Sequence, residues 1–125
     1  MRPRAAASAA AALALGLAAA VAGCGSETGQ PPEAVARAFV STNEPSKCGL
    51  VTSGLLEEQT GRRGADARRF CEANVRREPR PADVRVIEAE IMGGKATVEM
   101  VVDNREERLQ LVRVDGRWRI FATGR

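Results

Sequence analysis

Apolar positions along the chain follow three different spacings, and each predicts a different kind of structure. Residues 5–22 are a nearly continuous apolar run, mostly alanine, and residues 25–32, GSETGQPP, have no apolar period. From residue 33 to about residue 77 apolar side chains return every three or four residues, the helical period, and from Val84 onward they alternate. Pro31 and Pro32 open a first helix, where the leading amides have no acceptor to lose. Glu33 suits its positive end, and Ala34, Val35, Ala38 and Phe39 form its stripe. STNEPS, residues 41–46, ends it. A second helical stretch is predicted over Lys47–Gln59, with Cys48, Val51, Leu55 and Leu56 on neighbouring faces and Gly61 as the stop. A third covers Ala65–Arg77, where Ala67, Phe70, Cys71, Asn74 and Val75 share one side, so Cys71 is expected to face the core beside Phe70.

After EPRPAD, residues 78–83, the pattern reads as four strands: Val84–Met92, Lys95–Val102, Glu107–Val114 and Arg117–Ala122. They join at GG, DNRE and DG. Gly93-Gly94 and Asp115-Gly116 can supply the positive φ of tight hairpins, which predicts an antiparallel meander. In the second strand Ala96, Val98, Met100 and Val102 make a dry face, alternating with Thr97, Glu99 and Asp103. In the fourth, Trp118, Ile120 and Ala122 alternate with Arg117, Arg119 and Thr123. The first strand changes phase between Val86 and Ile87, which predicts a bulge or sharp twist. Helices followed by a meander give the fold class: α+β, with N-terminal helices packed on one face of a curved four-stranded antiparallel sheet.

The apolar run changes meaning once its flanks are read. Arg2 and Arg4 precede it and small residues follow, the layout of a secretory signal; an uncleaved membrane-crossing anchor, for which alanine makes a poor span, or a signal cut elsewhere with a free Cys24, is the alternative. Its end, Val21-Ala22-Gly23-Cys24, resembles the lipobox of bacterial lipoproteins. That resemblance implies a signal peptide over 1–23, a diacylglyceryl group on the Cys24 thiol and a membrane partner reached through that lipid. Residues 24–32 become a tether and 33–125 a single domain at the extracytoplasmic face of the cell membrane. Export in turn exposes Cys48 and Cys71 to oxidising conditions, which favours a disulfide between them over two buried thiols. A metal site is not indicated, since the chain has no His and no CxxC spacing.

Charge adds little at first. The formal net charge of +3 falls to +1 once Arg2 and Arg4 leave with the signal, so no nucleic-acid partner is expected. Locally it is uneven: Arg62–Arg80 holds seven arginines against Asp66, Glu72 and Glu78. Arg62, Arg63, Arg68, Arg69, Arg76 and Arg77 are therefore a candidate basic face for an anionic partner. Their alternative is an ordinary solvated helix side, with Glu72 and Arg76 paired across four residues.

The order of elements, closing on VDGRWRIF, resembles the cystatin-like cone of the nuclear transport factor 2 superfamily, an unrelated two-layer α+β domain being the competing reading. The resemblance implies a pocket between the helices and the sheet, lined here by Val98, Met100, Leu109, Leu111, Trp118 and Ile120. The alternative for Trp118 is a core plug against Phe39 or Phe70. Members of that superfamily bind or scaffold, or isomerise, cyclise or dehydrate small molecules with Asp, His or Tyr. This chain has neither His nor Tyr and no cofactor motif, which leaves Asp83, Glu88, Glu90 and Glu99 as proton-transfer candidates. The expected function is a binding or interaction module for a small apolar ligand or an envelope protein, with no cofactor. The alternative is a small-molecule enzyme on the same fold.

Overall fold

Pro32 starts helix α1, Pro32–Ser41, in the computed structural model, which describes residues 29–124. The signal peptide predicted over 1–23 and the candidate lipidation site Cys24 lie outside the described residues. The amides of Ala34 and Val35 both donate to the Pro31 carbonyl, at 3.0 and 3.2 Å, so the two prolines cost the helix no hydrogen bond. Val35 and Ala36 are buried, and Phe39 and Val40 pack beside them.

The stretch predicted as one helix over Lys47–Gln59 is two pieces. A 3-10 turn, Pro45–Gly49, is followed by an extended step and then by α2, Ser53–Thr60. The break has a cause at each side. Thr52 caps α2, its hydroxyl accepting from the Leu55 amide at 3.3 Å. Between the pieces Val51 forms a parallel bridge with Ile120 of the last strand. Gly61, at φ 69, then ends α2 with its amide on the Glu57 carbonyl. Helix α3, Gly64–Asn74, continues as a 3-10 turn, Val75–Arg77. Its buried stripe is Ala67 and Val75, with Cys71 half-buried, while Phe70 faces outward under the Arg62 guanidinium, 4.2 Å from the ring centre. The expected placement of Phe70 in the core is thus corrected: Ala67 and Cys71 occupy the inner side, and the aromatic ring lies beyond its margin.

Strands β1, Val84–Met92, β2, Lys95–Val102, β3, Arg105–Val114, and β4, Arg117–Gly124, form an open antiparallel sheet in sequence order. β3 begins two residues before the predicted Glu107. Asp103 and Asn104 make a two-residue hairpin with φ of 48 and 67, values that Asn and Asp tolerate better than other non-glycine residues. The predicted bulge is present: β1 slips against β2 between Val86 and Glu88, so Val84, Val86, Ala89 and Ile91 all share a face despite their odd spacing. A second slip places both Gln110–Ala122 and Leu111–Ile120 in register, leaving Phe121 over. It corrects the expected alternation of β4: Ala122 now stands opposite the outward Gln110, and Thr123 opposite the inward Leu109.

Helices α1 and α2 lie on the inward face, and the core between them and the sheet is continuous, from Val35, Val51, Leu55 and Leu56 to Met100, Leu111 and Ile120. The predicted disulfide is formed. Cys48 and Cys71 are bonded with their Cα atoms 6.0 Å apart, joining the first 3-10 turn to α3. Closing a loop of this length contributes about 3 kcal/mol in the chain-entropy model. The double variant Cys48→Ala/Cys71→Ala is accordingly expected to lose about that much unfolding free energy in urea. Titration of the unreduced protein with a thiol reagent should find neither cysteine free.

Candidate functional site

At the C-terminal end of α1 the inward face of the sheet ends in an open cleft of about 370 Å³. Its apolar floor comes from three places: Phe39 and Val40 at the end of α1, Val102 and Leu109 from adjacent strands, and Pro79 and Pro81 from the link. Lys47, Gln59, Arg80, Asp103, Glu107 and Thr123 form the rim. Two devices hold the shape. The Asp103 carboxylate accepts the amides of Ala82 and Asp83, at 2.8 and 2.9 Å, which pins the proline-rich link to the β2–β3 turn. Lys47 reaches Glu78 at 2.6 Å and stands 4.9 Å from the Phe39 ring centre, so one ammonium ties the 3-10 turn to the link and covers the aromatic wall.

The six residues predicted to line a pocket are instead mostly core. Val98, Met100, Leu109, Leu111, Trp118 and Ile120 are each at most 5% exposed and pack against α1 and α2. Only Leu109 touches the cleft just described; Met100 and Trp118 border other surface depressions. The reason is the placement of α1, whose Val35 and Ala36 fill the space that a more withdrawn helix would leave open. Trp118 fills the core near Val35, Ala38 and Leu50, with the Arg113 guanidinium 4.8 Å from its ring centre.

None of the four carboxylates proposed from sequence lies in the cleft. The β1 bulge settles the phase that was ambiguous: Glu88 stands opposite Glu99 and Glu90 opposite Thr97, on the outward face. Glu99 pairs with Arg108 at 2.5 Å, and this hydrogen bond, with the attraction of the carboxylate, raises the guanidinium pKa of a group already cationic at all ordinary pH. Asp83 is exposed beside Arg85 at 3.5 Å. The carboxylate that does face inward is Glu107, half-buried at the rim and without a hydrogen-bond or ion-pair partner among the described residues. Its signal was in the sequence: Glu107, Leu109 and Leu111 keep one parity, so a strand that buries the leucines carries the glutamate on the same face.

The candidate basic face is partly neutralised. Arg68 pairs with Glu72 at 2.6 Å, Arg69 with Asp66, and Arg76 with Glu44 at 3.3 Å. The expected Glu72–Arg76 pair is replaced because Arg76 lies in the 3-10 turn beyond α3, which carries it round to Glu44. Arg62 covers Phe70, Arg63 precedes α3, and Arg77 stands exposed at the end of the turn.

Among the described residues no group of three or more His, Cys, Asp or Glu side chains is arranged to hold a metal ion, and no helix is long and apolar enough to cross a membrane. Compared with protein-family models, curated proteins and solved structures, the chain matches none.

Glu107 and Leu109 are two residues apart on one face but differ in what they do for the fold. Leu109→Ala is expected to cost about 2–5 kcal/mol in a urea titration, as for other buried leucines. Glu107→Leu, which breaks no pairing and adds apolar surface to the core margin, should leave the urea midpoint unchanged or raise it.

Proposed function

We propose that the chain is a lipid-anchored module of the cell envelope, held at the extracytoplasmic face through diacylglyceryl-Cys24. Its domain resembles a nuclear transport factor 2 cone, and its task is to bind in the cleft floored by Phe39 and Leu109. The ligand class that suits the cleft is a small apolar or amphipathic molecule, or an apolar side chain of an envelope protein. One observation carries this reading: at the open end of the inward face, an apolar floor meets a rim of opposite charges, Lys47 and Arg80 against Asp103 and Glu107. Ligand sites characteristically combine such a floor with a few convergent polar groups. On the same face Val98, Leu111 and Ile120 are already buried against the helices.

Glu107 supports a second reading, an isomerase, cyclase or dehydratase on the same fold. A carboxylate facing an apolar floor is the minimum needed to move a proton. The two readings separate by substitution. On the binding reading, Glu107→Gln alters affinity modestly; on the enzymatic one it lowers turnover by about 100-fold or more.

The anchor and the cleft are checked independently. Wild-type protein should partition into the detergent phase of a detergent–water separation, and Cys24→Ser should remain aqueous; equal partitioning of the two would sink the lipid assignment. For the cleft, titration with an envelope lipid extract is expected to shift the methyl resonances of Val40, Val102 and Leu109. Thr123→Trp, which adds bulk at an exposed rim position, should abolish those shifts without lowering stability. Shifts confined to other residues would move the binding site away from the cleft.

A further inference from the structure

The described chain begins at Gly29, and Gly29 lies against Arg117: a Cβ added there would stand 3.2 Å from the Arg117 Cγ. Arg117 follows the β3–β4 turn. In a meander the first and third turns share an end, and here the Arg113 amide donates to the Gly94 carbonyl at 2.9 Å across them. The start of the domain, the 93–94 turn and the 115–116 turn are therefore together. The 103–104 turn and the cleft are at the opposite end of the strands, about 30 Å away for strands of eight to ten residues.

Five residue steps separate Cys24 from Gly29, and a chain of that length spans at most about 18 Å. A lipid on Cys24 thus places the 93–94 and 115–116 end nearest the bilayer, too close for the opposite end to exchange with it. The side chains at this end suit a lipid surface. Met92 is 73% exposed, Ile91 55% and Val114 37%, three of the five large apolar side chains that remain exposed among the described residues. Lys95, Arg113 and Arg117 stand among them, against Glu90 and Asp115. The far turn has the opposite balance, with Asp103, Glu106 and Glu107 around Arg105. Apolar side chains that enter the headgroup region, ringed by cations, are the pattern by which a surface docks on anionic lipid.

From this placement we propose that the 93–94 and 115–116 turns dock on an anionic phospholipid surface, with Met92, Ile91 and Val114 in the headgroup layer and Lys95, Arg113 and Arg117 on phosphates. The inference rests on the lipid at Cys24. It orients the domain: the cleft opens away from the membrane, toward whatever reaches the protein from outside.

Amide hydrogen exchange on the lipidated protein tests it, in vesicles of phosphatidylcholine with phosphatidylglycerol and in neutral detergent. Amides of 91–96 and 113–118 are expected to exchange about tenfold more slowly in the vesicles, and those of 102–106 at the same rate in both. The slowing should weaken as salt is raised. Lys95→Glu/Arg113→Glu/Arg117→Glu should remove it while the protein still floats with the vesicles. Met92→Asp, at the most exposed position, gives the same readout without touching the Arg113–Trp118 contact. A floating protein with equal exchange in both media, or with both ends slowed alike, overturns docking and leaves the anchor intact. Slowing that appears in detergent and grows with protein concentration assigns the surface to a second copy and also overturns docking. Wild-type protein that fails to float overturns the anchor, and docking with it.

Discussion

Two hydrogen bonds at Ile120 join the helical half of this protein to its sheet. The Ile120 amide donates to Leu50 and its carbonyl accepts from Thr52, both at 2.8 Å. The free edge of β4 is thereby paired at Ile120, midway along a strand edge that would otherwise invite association. The same contact sets much of the helical half. Thr52 emerges from it positioned to cap α2. Two residues before Leu50, Cys48 is buried where α3 can reach it through the disulfide. The Arg119 guanidinium also donates to the Gly49 carbonyl, a third tie across the same seam. Without this seam α2 and α3 would be joined to the sheet mainly by apolar packing, which attracts without fixing register.

The other edge, β1, is unpaired and is managed differently. Its bulge at Ile87 breaks the regular array of edge groups, and Glu88 and Glu90 place charge along it. The bulge also keeps Val84 and Val86 in phase with Ala89 and Ile91, so a strand with an irregular sequence pattern still presents one apolar face. The slip in β4 has the reverse effect. It withdraws Ala122 from the inward face and brings Thr123 there, which supplies a polar rim beside Leu109 rather than more core.

The molecule is consequently polar along its strands. One end carries the start of the domain, two turns, exposed apolar side chains and cations. The other carries the link, the Asp103 clamp and the cleft. On the proposed reading this polarity is the functional design: an end that meets lipid and an end that meets a ligand, at opposite ends of the strands. The disulfide reinforces the arrangement by tying α3 to the turn that carries Lys47, one of the cleft's rim residues.

Elements with a clear period were legible in the sequence. The four strands, α1, α3 and the β1 bulge follow from alternation, helical spacing and turn residues, all of which act within a few residues; the Cys48–Cys71 pair was expected from the export that the lipobox resemblance implies. The lipobox-like VAGC is local in the same way, and lies outside the described residues. What distance along the chain separates was not legible. Val51 bridges to Ile120 across 69 residues and breaks a predicted helix, Arg76 finds Glu44 rather than Glu72, and Phe70 is left outside a core already filled. The cleft belongs to this second group, since its floor joins α1, two strands and the link. Glu107 stands between: its parity with Leu109 and Leu111 was written in the sequence, but only the packing of α1 decided where on that face burial stops and a carboxylate can stay half exposed. Local spacing determines which side of an element is apolar; the competition among those sides for a limited interior determines which residues are left at its edge.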